Sequence, residues 1–203
     1  MAGEALRRVA LSDATLEVEI RGSGEPVVLI QTALTADEFL PLAGQPELQD
    51  NYRVILYHRR GYAGSSPVRG PGSIERDAHD CQQLLAALNI ERAHVVGVSY
   101  SAAVALQLAA TASGCVHSLC LIEPPPVHIP SADEFLAANV QLTEDHRAHG
   151  SATALDRFLV RVIGPAWRRD IEQHVPGGGA QVERDADTFF ATDIPALLTW
   201  RFG

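Results

Sequence analysis

The chain has 203 residues, of which 46% are hydrophobic and 20% charged, and a formal net charge of −9. That composition describes an ordinary soluble globule with enough length for a sizeable core. The acidic balance argues against nucleic acid or an anionic membrane as partner.

Residues 6–11 and 15–21 alternate apolar and polar around Ser12-Asp13-Ala14, the pattern of an antiparallel hairpin. A turn at 22–26 leads into the continuous apolar run Val27 to Ile30, as a strand buried on both faces requires. Residues 35–43 read as a short helix or loop. Tyr52 to Tyr57 is the next strand, followed by the polar, glycine-rich stretch His58-Arg59-Arg60-Gly61-Tyr62-Ala63-Gly64-Ser65-Ser66-Pro67. Ser73 caps a helix whose apolar face is Ile74, Ala78, Cys81, Leu84, Leu85 and Leu88.

Next comes Val95-Val96-Gly97-Val98-Ser99-Tyr100-Ser101-Ala102-Ala103: a β-branched run, a serine, then an alanine-rich helical run. This is strand, sharp turn and helix, with small residues two positions either side of the serine where the backbones must approach closely. Ser99 is therefore read as a nucleophile beside a helix amino terminus, whose free N–H groups and dipole suit an oxyanion. Val116 to Ile122 forms a further strand ending in Glu123-Pro124-Pro125-Pro126. From Val127 onward no buried strand is expected. Residues 131–149, 151–163, 165–174 and 182–190 read as helices, with Gly177-Gly178-Gly179 as a break. Alternating strands and helices predict an α/β architecture with a mostly parallel sheet. Two regions are expected: a core over residues 1–126 and a helical cap over 127–203, hinged at the proline run.

The order of hairpin, strand, strand plus Arg-Arg-Gly-Tyr-x-Gly-Ser-Ser loop, helix, Gly-x-Ser-x-small elbow, strand and helical cap resembles the α/β-hydrolase fold. The resemblance covers nearly the whole chain but only the first part of the family's usual length. It implies Ser99 as nucleophile and the Tyr100 N–H as one oxyanion donor. The second donor would come from Thr32 or Ala33, after the first parallel strand. No metal and no organic cofactor is implied. Gln31-Thr32 stands where many members carry His-Gly, and Ser101 replaces the last elbow glycine. The acid and histidine normally follow two further strands, which these 203 residues do not carry, so the chain is expected to be incomplete at its C-terminus.

The chain's own histidines sort by strand polarity, because sites in such folds form at the carboxyl ends of strands. His94 and His117 begin strands, at the opposite edge. His79 falls on a solvent-facing helix surface, and His146, His149 and His174 on solvated cap helices. His58 and His128 remain as base candidates and Glu123 as an acid candidate. Arg59 and Arg60 are expected to shape their loop through backbone hydrogen bonds and surface ion pairs, with anionic substrate as the alternative. Trp167, Phe189, Phe190 and Trp200 read as cap core rather than acyl pocket. The cysteines (Cys81, Cys115, Cys120) are odd in number and lack metal-ligand spacing, and they read as buried apolar residues in a reduced interior. The first eight residues hold no signal-peptide core, and the apolar stretch 102–112 is too short to span a bilayer. A cytoplasmic protein is expected.

Two functional readings follow. One is a serine hydrolase acting on an ester, amide or related small-molecule acyl bond. The other is a non-catalytic fragment or pseudoenzyme that binds a small apolar ligand or a partner chain. On the second reading the missing strands would leave the strand at 116–122 as a sheet edge, open to self-association.

Overall fold

The computed structural model describes residues 6–202; the first five residues, part of the stretch read for a signal peptide, lie outside it. Strands β1 (Arg7–Ala10) and β2 (Thr15–Arg21) form the expected hairpin, with every second residue of β2 buried (Leu16, Val18, Ile20). β3 (Glu25–Ile30), β4 (Tyr52–Tyr57), β5 (Ala93–Val98) and β6 (Val116–Ile122) follow. The sheet order is β1-β2-β4-β3-β5-β6, parallel from β4 to β6 and antiparallel at the hairpin.

Period-two alternation divides β3 between two layers. Val28 and Ile30 join a core with Ile55, Val95, Leu84 and Leu108. Val27 and Leu29 meet Phe39, Ala43 and Val54 on the other face. Each such apolar side chain removed from water contributes about 1.5–3 kcal/mol, which explains why this strand is an unbroken apolar run. The segment after β3 holds two single-turn helices, α1 (Leu40–Ala43) and α2 (Pro46–Gln49), each opened by a proline in its first turn. The second of these was not foreseen.

Helix α3 (Ile74–Ala87) begins where the cap residue predicts, the Ser73 hydroxyl accepting from the Arg76 N–H at 3.2 Å. Its buried face carries Ile74, Ala78, Cys81, Leu84 and Leu85 and also two carboxylates, Asp77 and Asp80. Helix α4 (Tyr100–Thr111) leaves β5 through Ser99, and Gly97 marks the closest approach of the two backbones. A Cβ on Gly97 would stand 2.3 Å from the Ser101 carbonyl oxygen.

Beyond β6 the chain is helical: α5 (Ala132–His149), α6 (Ser151–Val162), α7 (Trp167–His174), α8 (Gly178–Arg184), α9 (Ala186–Thr188) and α10 (Ile194–Thr199). A π-helical turn over Phe189–Asp193 joins the last two. Two expectations need correction here. The glycine triplet is not a break as a whole: Gly177 alone takes a left-handed φ of 81°, while Gly178 and Gly179 are buried inside α8. The helix expected over 182–190 is instead three pieces, and α10 was unforeseen because a proline interrupts its pattern at position 195.

Trp167, Phe189 and Phe190 pack with Leu142, Leu155, Leu159 and Val182 in a second core, as the aromatic pattern predicts. Trp200 does not join them. With Ala196 and Leu197 it packs into the main core, its indole N–H donating to Gln107 at 2.9 Å. β6 is the last strand of the sheet, with Ser118, Cys120 and Ile122 exposed. Cys120 is thus open to solvent and Cys115 half-buried, so only Cys81 behaves as the expected buried apolar residue. Among the described residues no helix is long and apolar enough to cross a membrane.

The close approach at Gly97 gives a direct test. Gly97→Ala should lower unfolding stability by about 1–3 kcal/mol, because a backbone carbonyl rather than a flexible side chain obstructs the new methyl. A reduced chemical-denaturation midpoint is the expected reading.

Candidate active site

The end of β5 delivers Ser99 into a backbone conformation that L-residues seldom adopt, φ 49° and ψ −115°. Such strain persists only where the surroundings enforce it. On one side the Ser99 N–H donates to the Ile122 carbonyl at the end of β6, at 3.0 Å. On the other, the buried Ser101 hydroxyl accepts from the Val98 N–H at 2.9 Å and donates to the Val98 carbonyl at 3.0 Å. A serine thus fits the position where glycine is expected and ties the turn shut. Ser99 itself is exposed. Its side chain stands at the amino terminus of α4, whose first N–H group, that of Tyr100, has no partner within the helix.

The loop after β3 lies beside this turn, since the Thr32 hydroxyl donates to the Val98 carbonyl at 2.7 Å. Of the two second-donor candidates, Thr32 is already engaged: its N–H donates to the Glu38 carboxylate at 2.6 Å. Among the described residues the Ala33 N–H has no acceptor, and it is the donor left available. Leu34 follows with a φ of 72°, its N–H donating to the Tyr62 hydroxyl at 3.0 Å and its carbonyl accepting from Gln181 at 2.8 Å. Sequence reasoning missed Glu38. Its carboxyl is enclosed, with one oxygen lacking any hydrogen-bond partner. Burial pushes its pKa up to about 7, against the opposing effect of the Thr32 N–H.

Beneath the loop and the turn lies Arg59. It is buried, contrary to the surface pairing expected of it. Its guanidinium donates to Asp77 at 2.7 Å and to both oxygens of Asp193 at 3.0 and 3.2 Å. It also donates to the Gln31 and Thr32 carbonyls at 3.0 and 3.1 Å. The Tyr100 ring stacks 4.2 Å from the guanidinium carbon and the Tyr62 ring 5.1 Å from it. The Tyr100 hydroxyl donates to Asp77 at 2.9 Å, and the Tyr62 hydroxyl to Asp193. Burial disfavours the charge on Arg59, but Asp193 and Asp77 outweigh it and raise the pKa well above the ordinary value. Burial likewise raises Asp193, which Arg59 partly offsets. Arg60 is buried as well, paired with Asp80 at 2.6 Å and with exposed Asp13 at 2.6 Å.

The structure does not bring the base candidates to Ser99. His58 is held between two carboxylates, Nδ1 at 2.9 Å from Glu17 and Nε2 at 2.9 Å from Asp37. Burial favours its neutral form, yet Asp37 and Glu17 prevail and raise its pKa. A ring with both nitrogens committed and its proton held more tightly is a poor base. His128 is also occupied: Nε2 lies 2.6 Å from the Phe202 carbonyl and so carries the proton. His146 is half-buried rather than solvated, stacked on Phe190 at 4.3 Å. Glu123 stands exposed at the end of β6 with a φ of 48°, next to the residue that anchors the Ser99 N–H. Among the described residues no histidine hydrogen-bonds the Ser99 hydroxyl.

A mostly parallel sheet flanked by helices, with a strained serine between strand and helix, is the architecture of an α/β-hydrolase. The chain belongs to the alpha/beta hydrolase fold family, whose sequence model matches residues 26–159. It is 34% identical over 95 residues to 3-oxoadipate enol-lactonase 1 of Acinetobacter baylyi, a match covering 46% of this chain and 35% of that protein. In structure it resembles a thermophilic esterase from Thermogutta terrifontis, with a TM-score of 0.75 at 18% identity, over 96% of this chain and 72% of the other. The enol-lactonase of Burkholderia xenovorans LB400 superposes with a TM-score of 0.67 at 22% identity, over 95% and 70% of the two chains. The matches span well under two thirds of the curated relatives' lengths.

Two substitutions test the buried charges. Arg59→Met strands Asp77 and Asp193 in the interior and should lower stability by about 3–5 kcal/mol in urea unfolding. Glu38 holds its proton more tightly folded than unfolded, so its stabilisation is complete below about pH 4.5 and lost by about pH 7. Glu38→Gln, which mimics the protonated acid, should therefore gain on the wild type by roughly 2–3 kcal/mol between pH 5 and pH 8.

Proposed function

We propose that this chain carries the nucleophile half of a serine hydrolase acting on an ester, lactone or related acyl bond of a small molecule. Ser99 attacks the acyl carbon, and the Tyr100 and Ala33 N–H groups hold the oxyanion. The observation that carries this reading is the conformation of Ser99: strained, exposed, and beside unsatisfied backbone donors. Each preplaced donor is worth roughly 3–4 kcal/mol of barrier in such chemistry. The likeness to 3-oxoadipate enol-lactonase 1, at 34% identity over 95 residues, supports an acyl substrate. Residues 127–203 serve as the lid region, and Glu123 is retained as the candidate orienting acid.

A serine hydroxyl needs a base to remove its proton, and none of the eight histidines here is hydrogen-bonded to it. On the hydrolase reading the base is therefore a group other than these histidines as they stand here. The same observation favours a second reading, in which the chain binds an apolar ligand or partner chain without catalysis.

Imidazole in solution can stand in for a missing base and separates the two. With p-nitrophenyl acetate, the wild-type chain should form an acetyl adduct on Ser99 that grows with imidazole concentration, seen by peptide mass mapping. Ser99→Ala should turn over no faster than imidazole alone. Equal turnover by the two proteins, with Ser99 unmodified, would favour the non-catalytic reading.

A further inference from the structure

At the amino edge of the sheet, Glu25 of β3, His94 of β5 and His117 of β6 bring three ligand atoms within 4.8 Å of one another. His94 Nε2 lies 3.4 Å from one Glu25 oxygen, and His117 Nε2 lies 3.7 Å from the other. Bonds of about 2.0–2.1 Å in a tetrahedron separate neighbouring ligand atoms by roughly 3.3 Å. Only small side-chain adjustments separate the observed arrangement from that geometry. We propose that Glu25, His94 and His117 form a binding site for a divalent transition-metal ion of the zinc type, completed by water.

Three further features support it. First, the β5–β6 register slips at this point. Ala93 pairs with Val116 and His94 with Ser118, so His117 is the extra residue of a β-bulge. Bulges are rare in parallel pairs, and they re-aim a side chain; here the ring comes edge-on to His94, with centroids 4.6 Å apart. Second, His94 Nδ1 lies 2.7 Å from the Ser118 hydroxyl. That contact fixes the ring as the outer hydrogen bond of a metal-bound histidine does. Third, His94 Nε2 is buried with no hydrogen-bond partner, on the side of the ring that faces Glu25. Two imidazoles and one carboxylate are the donor set of many zinc centres.

The site is separate from Ser99. His94 and Ser99 are five residues apart along one extended strand, roughly 16 Å. The bound ion would join β3, β5 and β6, and among the described residues β6 pairs with a strand on one side only. An ion that binds only the folded chain raises its melting temperature.

The test is calorimetric titration of zinc chloride into the chelator-treated 203-residue chain, alongside thermal melts. The wild type should take up one equivalent and melt at higher temperature with zinc, while magnesium has no effect. His117→Ala and Glu25→Gln, whose side chains are exposed, should each weaken zinc binding at least tenfold and abolish the thermal shift. His79→Ala, on the solvent face of α3, should leave both unchanged. If Glu25→Gln does not fold, His117→Ala decides alone. Undetectable zinc binding by the wild type, or unaltered affinity in His117→Ala, overturns the proposal and leaves a histidine–carboxylate ion pair.

Discussion

The Arg59 guanidinium, buried between Asp77 and Asp193, is the interaction on which the rest of the carboxyl edge depends. Desolvating three charges costs several kcal/mol per ion unless every polar atom is matched. Here the match is thorough: two carboxylates, two backbone carbonyls and two tyrosine rings surround one cation. The partners come from separate parts of the chain. Asp77 lies on α3, Asp193 in the π turn, Gln31 and Thr32 in the loop after β3, and Tyr100 in the first turn of α4. One side chain therefore sets the relative positions of the loop and the serine turn. Asp193 is buried at the last position of the π turn, directly before α10.

Strain collects at the same edge. Leu34, Ser99 and Glu123, the residues with positive φ that follow β3, β5 and β6, all lie where the sheet's carboxyl ends meet the helical layer. Each such residue costs of order 1–3 kcal/mol, and each is fixed by its surroundings or its neighbour. Leu34 is held by Tyr62 and Gln181, Ser99 by the Ile122 carbonyl, and Glu123 follows directly on that carbonyl. The result is a loop and a turn whose backbone directions are set by their neighbours.

Local features were legible in the sequence. The hairpin, the bounds of β4 and β6, the Ser73 cap and the turn at Ser99 all rest on short-range patterns of alternation, capping and small residues. What was hidden rests on distant pairing. Arg59 reads as a surface residue because its partner Asp193 lies 134 positions away. The two buried carboxylates on the inner face of α3 were visible as letters, but not as the partners of Arg59 (Asp77) and Arg60 (Asp80). His58 could be placed at the right edge, but not between Glu17 and Asp37. Glu38 carried no signal at all, since nothing nearby indicates that its carboxyl would cap the Thr32 N–H. The glycine triplet misled because glycine marks either a turn or a tight helix contact, and only Gly177 takes the left-handed backbone.

The attachment of the helical layer has a mechanical consequence. Its first end leaves the sheet at buried Pro125, and its last returns through Trp200, which is hydrogen-bonded to Gln107 on α4. Within the described residues the layer is thus tied to the sheet's core at two separate places. Between those two anchors Gly150 (φ 78°), Gly164 (φ 125°) and Gly177 (φ 81°) are where a backbone open to glycine lets successive helices change direction.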